Sequence, residues 1–92
     1  MYKTLGSIKK ANRAAGFTFF KAGTICAPTV YRGIYFITTD REFKNFPLRY
    51  TIREALPSGK VIAASEYMEF DKMDDAVNAL RSDRFPMKGT AQ

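Results

Sequence analysis

The chain has 92 residues, with 15 Lys or Arg against 9 Asp or Glu, a single cysteine and no histidine. That length makes one domain with a thin core. No apolar run approaches the roughly 20 residues that span a bilayer, and without histidine neither His-based catalysis nor a His metal site is possible.

The basic excess is uneven. Residues 1–53 hold ten bases and two acids, whereas residues 54–92 hold five bases and seven acids. A basic half of this kind suggests a polyanion or an acidic protein surface as partner. The competing reading is a solvated face with no partner. The N-terminal MYKTLGSIKK lacks the apolar core of a signal peptide. A lone Cys26 cannot form an internal disulfide and, with no histidine to activate it, reads as an inert thiol. Together these point to a cytoplasmic protein.

In chain order, Thr4 to Ala15 reads as a short helix, with Ser7 as a candidate N-cap and Gly16 as the C′ residue. Leu5, Ile8, Ala11 and Ala15 fall near helical spacing and would face the core. Lys9, Lys10 and Arg13 form a basic stripe on the outer face. Phe17 to Phe20, FTFF, is either a short strand or an aromatic plug under the sheet. The plug weighs more, because aromatics dominate burial in small cores. Lys21 to Pro28 is irregular, broken by Gly23 and Pro28.

Val30 to Thr39, VYRGIYFITT, is the strongest strand signal and, apolar on both faces, is expected to be central. Gly33 marks a bulge or a close approach. The loop Asp40 to Pro47 carries Phe43 and Phe46, which are expected to tuck back onto the core rather than stand out as anchors. Leu48 to Phe70 reads as a hairpin turning at Pro57-Ser58-Gly59. In its first strand Leu48, Tyr50 and Ile52 alternate with Arg49, Thr51 and Arg53, which separates an apolar from a basic face. Leu48, Tyr50, Ile52 and Ile62 are the expected core anchors. Alternation slips near Ala63 to Glu66, which suggests a bulge. Asp71 is the expected N-cap of a last helix, DKMDDAVNALRSD, with Met73, Ala76, Val77 and Leu80 as its apolar stripe.

The predicted fold is therefore α+β, in the order α-β-β-β-α: a three- or four-stranded antiparallel sheet packed by an N-terminal and a C-terminal helix, both on one face. The opposite face would display Arg49, Thr51, Arg53 and Tyr35. Residues 1–84 form the domain and 85–92 a tail that packs through Phe85 or Met87 or remains disordered. The expected protein is a monomer, with no membrane contact and no cofactor.

Catalytic motifs are missing. There is no CxxC, GxxxxGK[ST] or GxGxxG. Glu66, Glu69, Asp71, Asp74 and Asp75 cluster in sequence, as a metal-dependent nuclease would need, but the aspartates better serve a helix N-terminus. No catalytic or metal residue is expected.

The element order and basic charge resemble the double-stranded-RNA-binding domain, whose last helix opens on a lysine cluster. Here that position reads Asp71-Lys72-Met73-Asp74-Asp75, which would repel phosphate, so the similarity is topological only. AGFTFFKAGT, GIYFITTD and RYTIREALPSGKVIAASEY, together spanning about Ala15 to Tyr67, resemble an uncharacterised family of small proteins carried by phages and plasmids. The length and fold also resemble small anti-CRISPR proteins that inhibit the type I-F surveillance complex. This resemblance implies a phage-encoded, non-catalytic inhibitor that binds a host CRISPR-Cas ribonucleoprotein and blocks target DNA binding. A basic inhibitor would reach acidic protein patches or guide-RNA phosphates through Lys9, Lys10, Arg13, Arg32, Arg49 and Arg53. The alternative is a small basic nucleic-acid-binding regulator, which would bind naked RNA or DNA and weaken with salt.

Overall fold

A computed structural model describes residues 1–21 and 24–86. Helix α1 runs Leu5–Ala14, and strands β1 (Ile25–Cys26), β2 (Tyr35–Asp40), β3 (Arg49–Ala55) and β4 (Val61–Ala63) precede helix α2 (Met73–Leu80). The strands form one antiparallel sheet in the order β1-β2-β3-β4. The α+β architecture with a helix near each end is as predicted. The fourth strand, however, is Ile25–Cys26, in the stretch that reads as irregular, and not FTFF.

The two helices lie on opposite faces of the sheet, contrary to the expectation of one shared face. Side chains alternate along β2. Tyr35 and Ile37 pack with Ile52, Phe70, Ala76, Leu80 and Phe85 on the α2 side. Phe36 packs with Ile8 and Ala55 on the α1 side, where Phe19, Phe20 and Val61 join it. The central strands are apolar on both sides because both sides are covered. Tyr35 accordingly lies under α2, buried, and is not displayed on an open face. Of the expected core anchors, Ile52 is fully buried and Tyr50 packs against the core, but Leu48 remains 41% exposed and Ile62 half-buried.

Thr4, not Ser7, caps α1: its Oγ1 accepts from the Ser7 backbone N–H at 3.1 Å. The other end closes as predicted at Gly16, with φ +87°. There the Phe17 N–H donates to the Asn12 carbonyl and the Gly16 N–H to that of Arg13, the paired bonds of a Schellman ending. The chain then doubles back, and Phe19 and Phe20, both half-buried, form an aromatic plug, whereas Phe17 stays 39% exposed. Phe20 stacks on Phe36 at 5.6 Å and Phe19 meets Phe36 edge-on at 6.2 Å.

Only the second half of Val30 to Thr39 joins the sheet as a strand. Tyr31 and Tyr35 exchange both backbone hydrogen bonds around a turn at Arg32 (φ +52°) and Gly33 (φ +73°). Two successive positive φ values are what a primed hairpin turn requires. Gly33 is also a close approach: a Cβ there would sit 2.9 Å from the Met1 side chain.

At the second turn, Leu56 and Gly59 close a loop in which Gly59 has φ +92°. Beyond Ala63 the chain leaves the ladder. The Ala64 and Ser65 N–H groups both donate to the Ile52 carbonyl, and the Ser65 hydroxyl accepts from the Ile52 N–H. Pairing resumes at Phe70 opposite Tyr50. From Arg53↔Ala63 to Tyr50↔Phe70, three steps on β3 match seven on the partner, so the bulge foreseen there has grown to four extra residues.

Lys72 rather than Asp71 is the N-cap of α2, with no side-chain capping bond; Asp71 instead pairs with Arg49 at 3.0 Å. The predicted apolar stripe of α2 faces the sheet, with Ala76 and Leu80 fully buried. Phe85, assigned to the tail, is a core residue at 4% exposed, and the Tyr35 hydroxyl donates to the Pro86 carbonyl. Met87 lies outside the described residues.

Candidate nucleic-acid interface

Among the described residues, three depressions run along the α1 side of the sheet. The first, of about 170 Å³, lies between α1 and the aromatic plug and is walled by Lys9, Asn12, Arg13, Phe17, Phe20 and Lys21. The second, of about 420 Å³, lies over β2 and β3, where α1 does not reach; Phe19, Lys21, Asp40, Arg41, Arg53 and Tyr67 are among its walls. The third, of about 250 Å³, is formed by Glu42, Phe46, Pro47, Arg49, Tyr67 and Met68. Lys21 is shared by the first two and Tyr67 by the last two, so the three form one band.

Local folding explains each contribution. Lys9 and Arg13 are four apart on α1 and so share a face; Lys9 Nζ stands 5.8 Å from the Phe20 ring. The Schellman ending reverses the chain, which brings Phe19, Phe20 and Lys21 beside the stripe. The excursion after Ala63 folds onto the same side: the Met68 N–H donates to the buried Thr51 hydroxyl at 2.7 Å. Met68 takes a positive φ of 57° to allow this. Tyr67 is thereby carried to 5.6 Å from the Arg53 guanidinium, whose other neighbour is Phe19 at 5.3 Å.

The band's walls carry six cations, Lys9, Arg13, Lys21, Arg41, Arg49 and Arg53, against two carboxylates, Asp40 and Glu42. Five aromatics are interleaved with them: Phe17, Phe19, Phe20, Phe46 and Tyr67. Cys26 lies within electrostatic reach of Lys9, Asp40 and Arg53. Burial pushes its thiol pKa up, and of the nearby charges Lys9 pulls it down, Asp40 pushes it up and Arg53 pulls it down. The helix stripe and Arg53, separate patches in the sequence, therefore act on one shared point.

The remaining predicted contacts fall differently. Lys10 is exposed on α1 outside the walls of the band. Arg32 belongs to the other layer: its Nε donates to the carbonyl of Leu80, the last residue of α2, at 3.4 Å, and its Nη2 to the Ser82 carbonyl just beyond at 3.3 Å. Arg49 lines the third depression while paired with Asp71. Sequence reasoning missed Lys21, Arg41 and Tyr67. Lys21 directly follows FTFF and was legible as a basic neighbour of aromatics. Tyr67 was not, because its position depends on the four-residue excursion.

Phe43 and Phe46 do not tuck into the core. They are 60% and 48% exposed and pack edge-to-face on each other at 5.0 Å. The loop from Arg41 to Leu48 is exposed throughout.

Among the described residues, no group of three or more His, Cys, Asp or Glu is placed to hold a metal ion, and no helix is long and apolar enough to cross a membrane. No curated protein and no solved structure matches the chain. A family pattern does match, and its span takes in both helices, all four strands and the whole band: over residues 4–81 the chain belongs to DUF7447, a family of unknown function.

Proposed function

We propose that the protein is a small, non-catalytic nucleic-acid-binding protein that takes single-stranded RNA or DNA along the band beside α1. The observation that carries this reading is the joining of three depressions through Lys21 and Tyr67 into one path lined by six cations and five aromatics. Cations along a groove track phosphates, and aromatic faces accept bases without regard to sequence. A duplex fits less well, because its bases are already stacked and cannot use the rings.

The test is fluorescence anisotropy with labelled single-stranded and duplex oligonucleotides across a salt series. The single strand should bind more tightly, with log K falling by about 0.7 per log unit of salt for each phosphate neutralised. Reversing charge at Lys9 and Arg13 together should reduce that slope; the same change at Lys10 alone should affect it less. Absence of binding at low salt would sink the reading.

A second reading is favoured by the exposed pair Phe43 and Phe46, which with Leu48 stands on the loop at the edge of the band. Paired exposed aromatics are typical protein-contact anchors. An inhibitor of a host-defence ribonucleoprotein, as the resemblance to anti-CRISPR proteins implies, would use the band on guide RNA and this loop on a protein subunit. Affinity capture from host lysate should then recover a nucleic-acid-processing complex, and replacing Phe43 and Phe46 by Ser should release it. Recovery of no such complex counts against this second reading.

A further inference from the structure

We infer that the second depression contains a nucleobase-edge site, formed by Asp40, Thr38 and Arg53, that prefers guanine. It rests on the nucleic-acid reading above and adds base selection to it.

Arg53 and Asp40 face each other across β3 and β2 with Nη2 and Oδ1 3.7 Å apart, and their side chains are only 15% and 17% exposed. So sheltered a pair gains most by closing into direct hydrogen bonds. This one is held beyond hydrogen-bond distance. Thr38 stands between the two: Arg53 Nε donates to Thr38 Oγ1 at 3.0 Å, and that hydroxyl donates to Asp40 Oδ2 at 2.9 Å. The guanidinium is further fixed between the Phe19 and Tyr67 rings. Both charged groups therefore line the depression with hydrogen-bonding capacity unused: donors on Arg53, acceptor lone pairs on Asp40.

The space in front, about 420 Å³, is within the range of small-molecule sites. Lys21 and Arg41 line it too and are placed for the adjoining phosphates. A ligand edge completes this jaw if it presents an acceptor to the guanidinium and donors to the carboxylate. Guanine does so most fully, with O6 as acceptor beside the N1 and N2 donors. Adenine and cytosine bring one donor group to the carboxylate. Uracil and thymine place a second carbonyl against it, which is repulsive.

The test compares four single-stranded 11-mers of thymidine, each carrying G, A, C or T at its centre, with the full-length protein. The guanine-containing strand should bind at least about fivefold more tightly than the others, the lower range of one bidentate base contact. Asp40→Asn should abolish the preference, so that the guanine-containing strand binds no more tightly than the all-thymidine strand. Since Asp40→Asn could disturb the sheet, the wild-type protein supplies an independent readout. Guanosine monophosphate should shift the Arg53 Nε–H resonance in a nitrogen–proton correlation spectrum, and adenosine monophosphate should do so much less.

Equal binding of all four strands with the usual salt slope overturns the guanine site and leaves the nucleic-acid band standing. So does an Arg53 resonance that responds equally to the two nucleotides. Failure to bind any strand at low salt overturns both.

Discussion

Gly59 is pressed against the backbone of α1 at Ala11: a Cβ on Gly59 would lie 2.5 Å from the Ala11 carbonyl oxygen. One residue further along the helix, Asn12 Nδ2 donates to the Gly59 carbonyl at 2.8 Å, and Asn12 Oδ1 accepts from the Phe19 N–H at 3.2 Å. The hairpin turn, the helix and the aromatic plug are thus tied at one buried polar side chain, itself 2% exposed.

Gly59→Ala should therefore be among the most damaging small substitutions in the chain. It places a side chain at φ +92° and drives it into backbone that cannot swing aside. Strain and overpacking together should cost about 2–5 kcal/mol. Asn12→Ala leaves the Gly59 carbonyl and the Phe19 N–H without this partner and should cost about 1–3 kcal/mol. Urea denaturation measures both, and a Gly59→Ala protein with an unchanged midpoint would contradict the close approach.

Arg32 should behave as a stability residue. The final carbonyls of α2 are all satisfied: Val77 and Asn78 by the Arg81 N–H, Ala79 by the Ser82 N–H, and Leu80 by Arg32. Arg32→Ala removes the last of these and should lower stability by about 0.5–1.5 kcal/mol. Because Arg32 lies in the other layer from the band, the salt slope of nucleic-acid binding should not move. Thermal melts and the salt series together decide: a large slope change with an unchanged melting temperature would return Arg32 to the interface.

The two layers explain how far the sequence could be read. Period-2 alternation correctly separated Arg49 and Arg53 from Tyr50 and Ile52, because alternation follows directly from strand geometry. It could not tell which face each helix covers. The double-sided apolar character of Tyr35, Phe36 and Ile37 contained that information, since a strand apolar on both sides needs cover on both. Asn12 carries no sign of its role in the sequence, because its burial depends on the Gly59 turn packing on it. Tyr67 joins Arg53 only because four extra residues leave the ladder. Charge alone selected six bases, and it could not separate a helix-capping arginine from a groove-lining one.

Glu69 should give the fold a dependence on acid pH. The side-chain hydrogen bond from Arg84 holds its carboxyl below the usual carboxylate range; burial opposes this, and the hydrogen bond with the Glu66 backbone assists it. Arg84 grips both carboxylate oxygens and lies over the Phe85 ring at 4.9 Å, so the pair pins the segment after α2. A lowered folded-state pKa means the unfolded chain takes up the proton first. The contribution is therefore full above the ordinary glutamate value of about 4.3 and is lost as pH falls through the lower folded value. Glu69→Gln should flatten this part of the stability profile and leave the profile above about pH 6 parallel to that of the wild type. Melting temperatures measured from pH 2 to 7 test it; an identical acid limb in both proteins would show that the pair contributes nothing.

Three phenylalanines give the last contrast. Phe85 is 4% exposed and meets Tyr35 edge-on at 5.8 Å within the α2-side core. Phe85→Ala should cost about 3–5 kcal/mol, through lost burial and the cavity left behind. Phe43 and Phe46 touch each other in an exposed loop, so replacing both by Ser should change stability by no more than about 1 kcal/mol. Hydrophobicity is equal in the three residues, and the difference arises wholly from where the chain places them. The double substitution should also leave the melting transition sharp while reducing nonspecific association, since it removes paired apolar surface from solvent. Denaturation midpoints and light scattering on the two variants check these outcomes. A double-serine protein as unstable as Phe85→Ala would place the loop in the core after all, as its sequence first suggests.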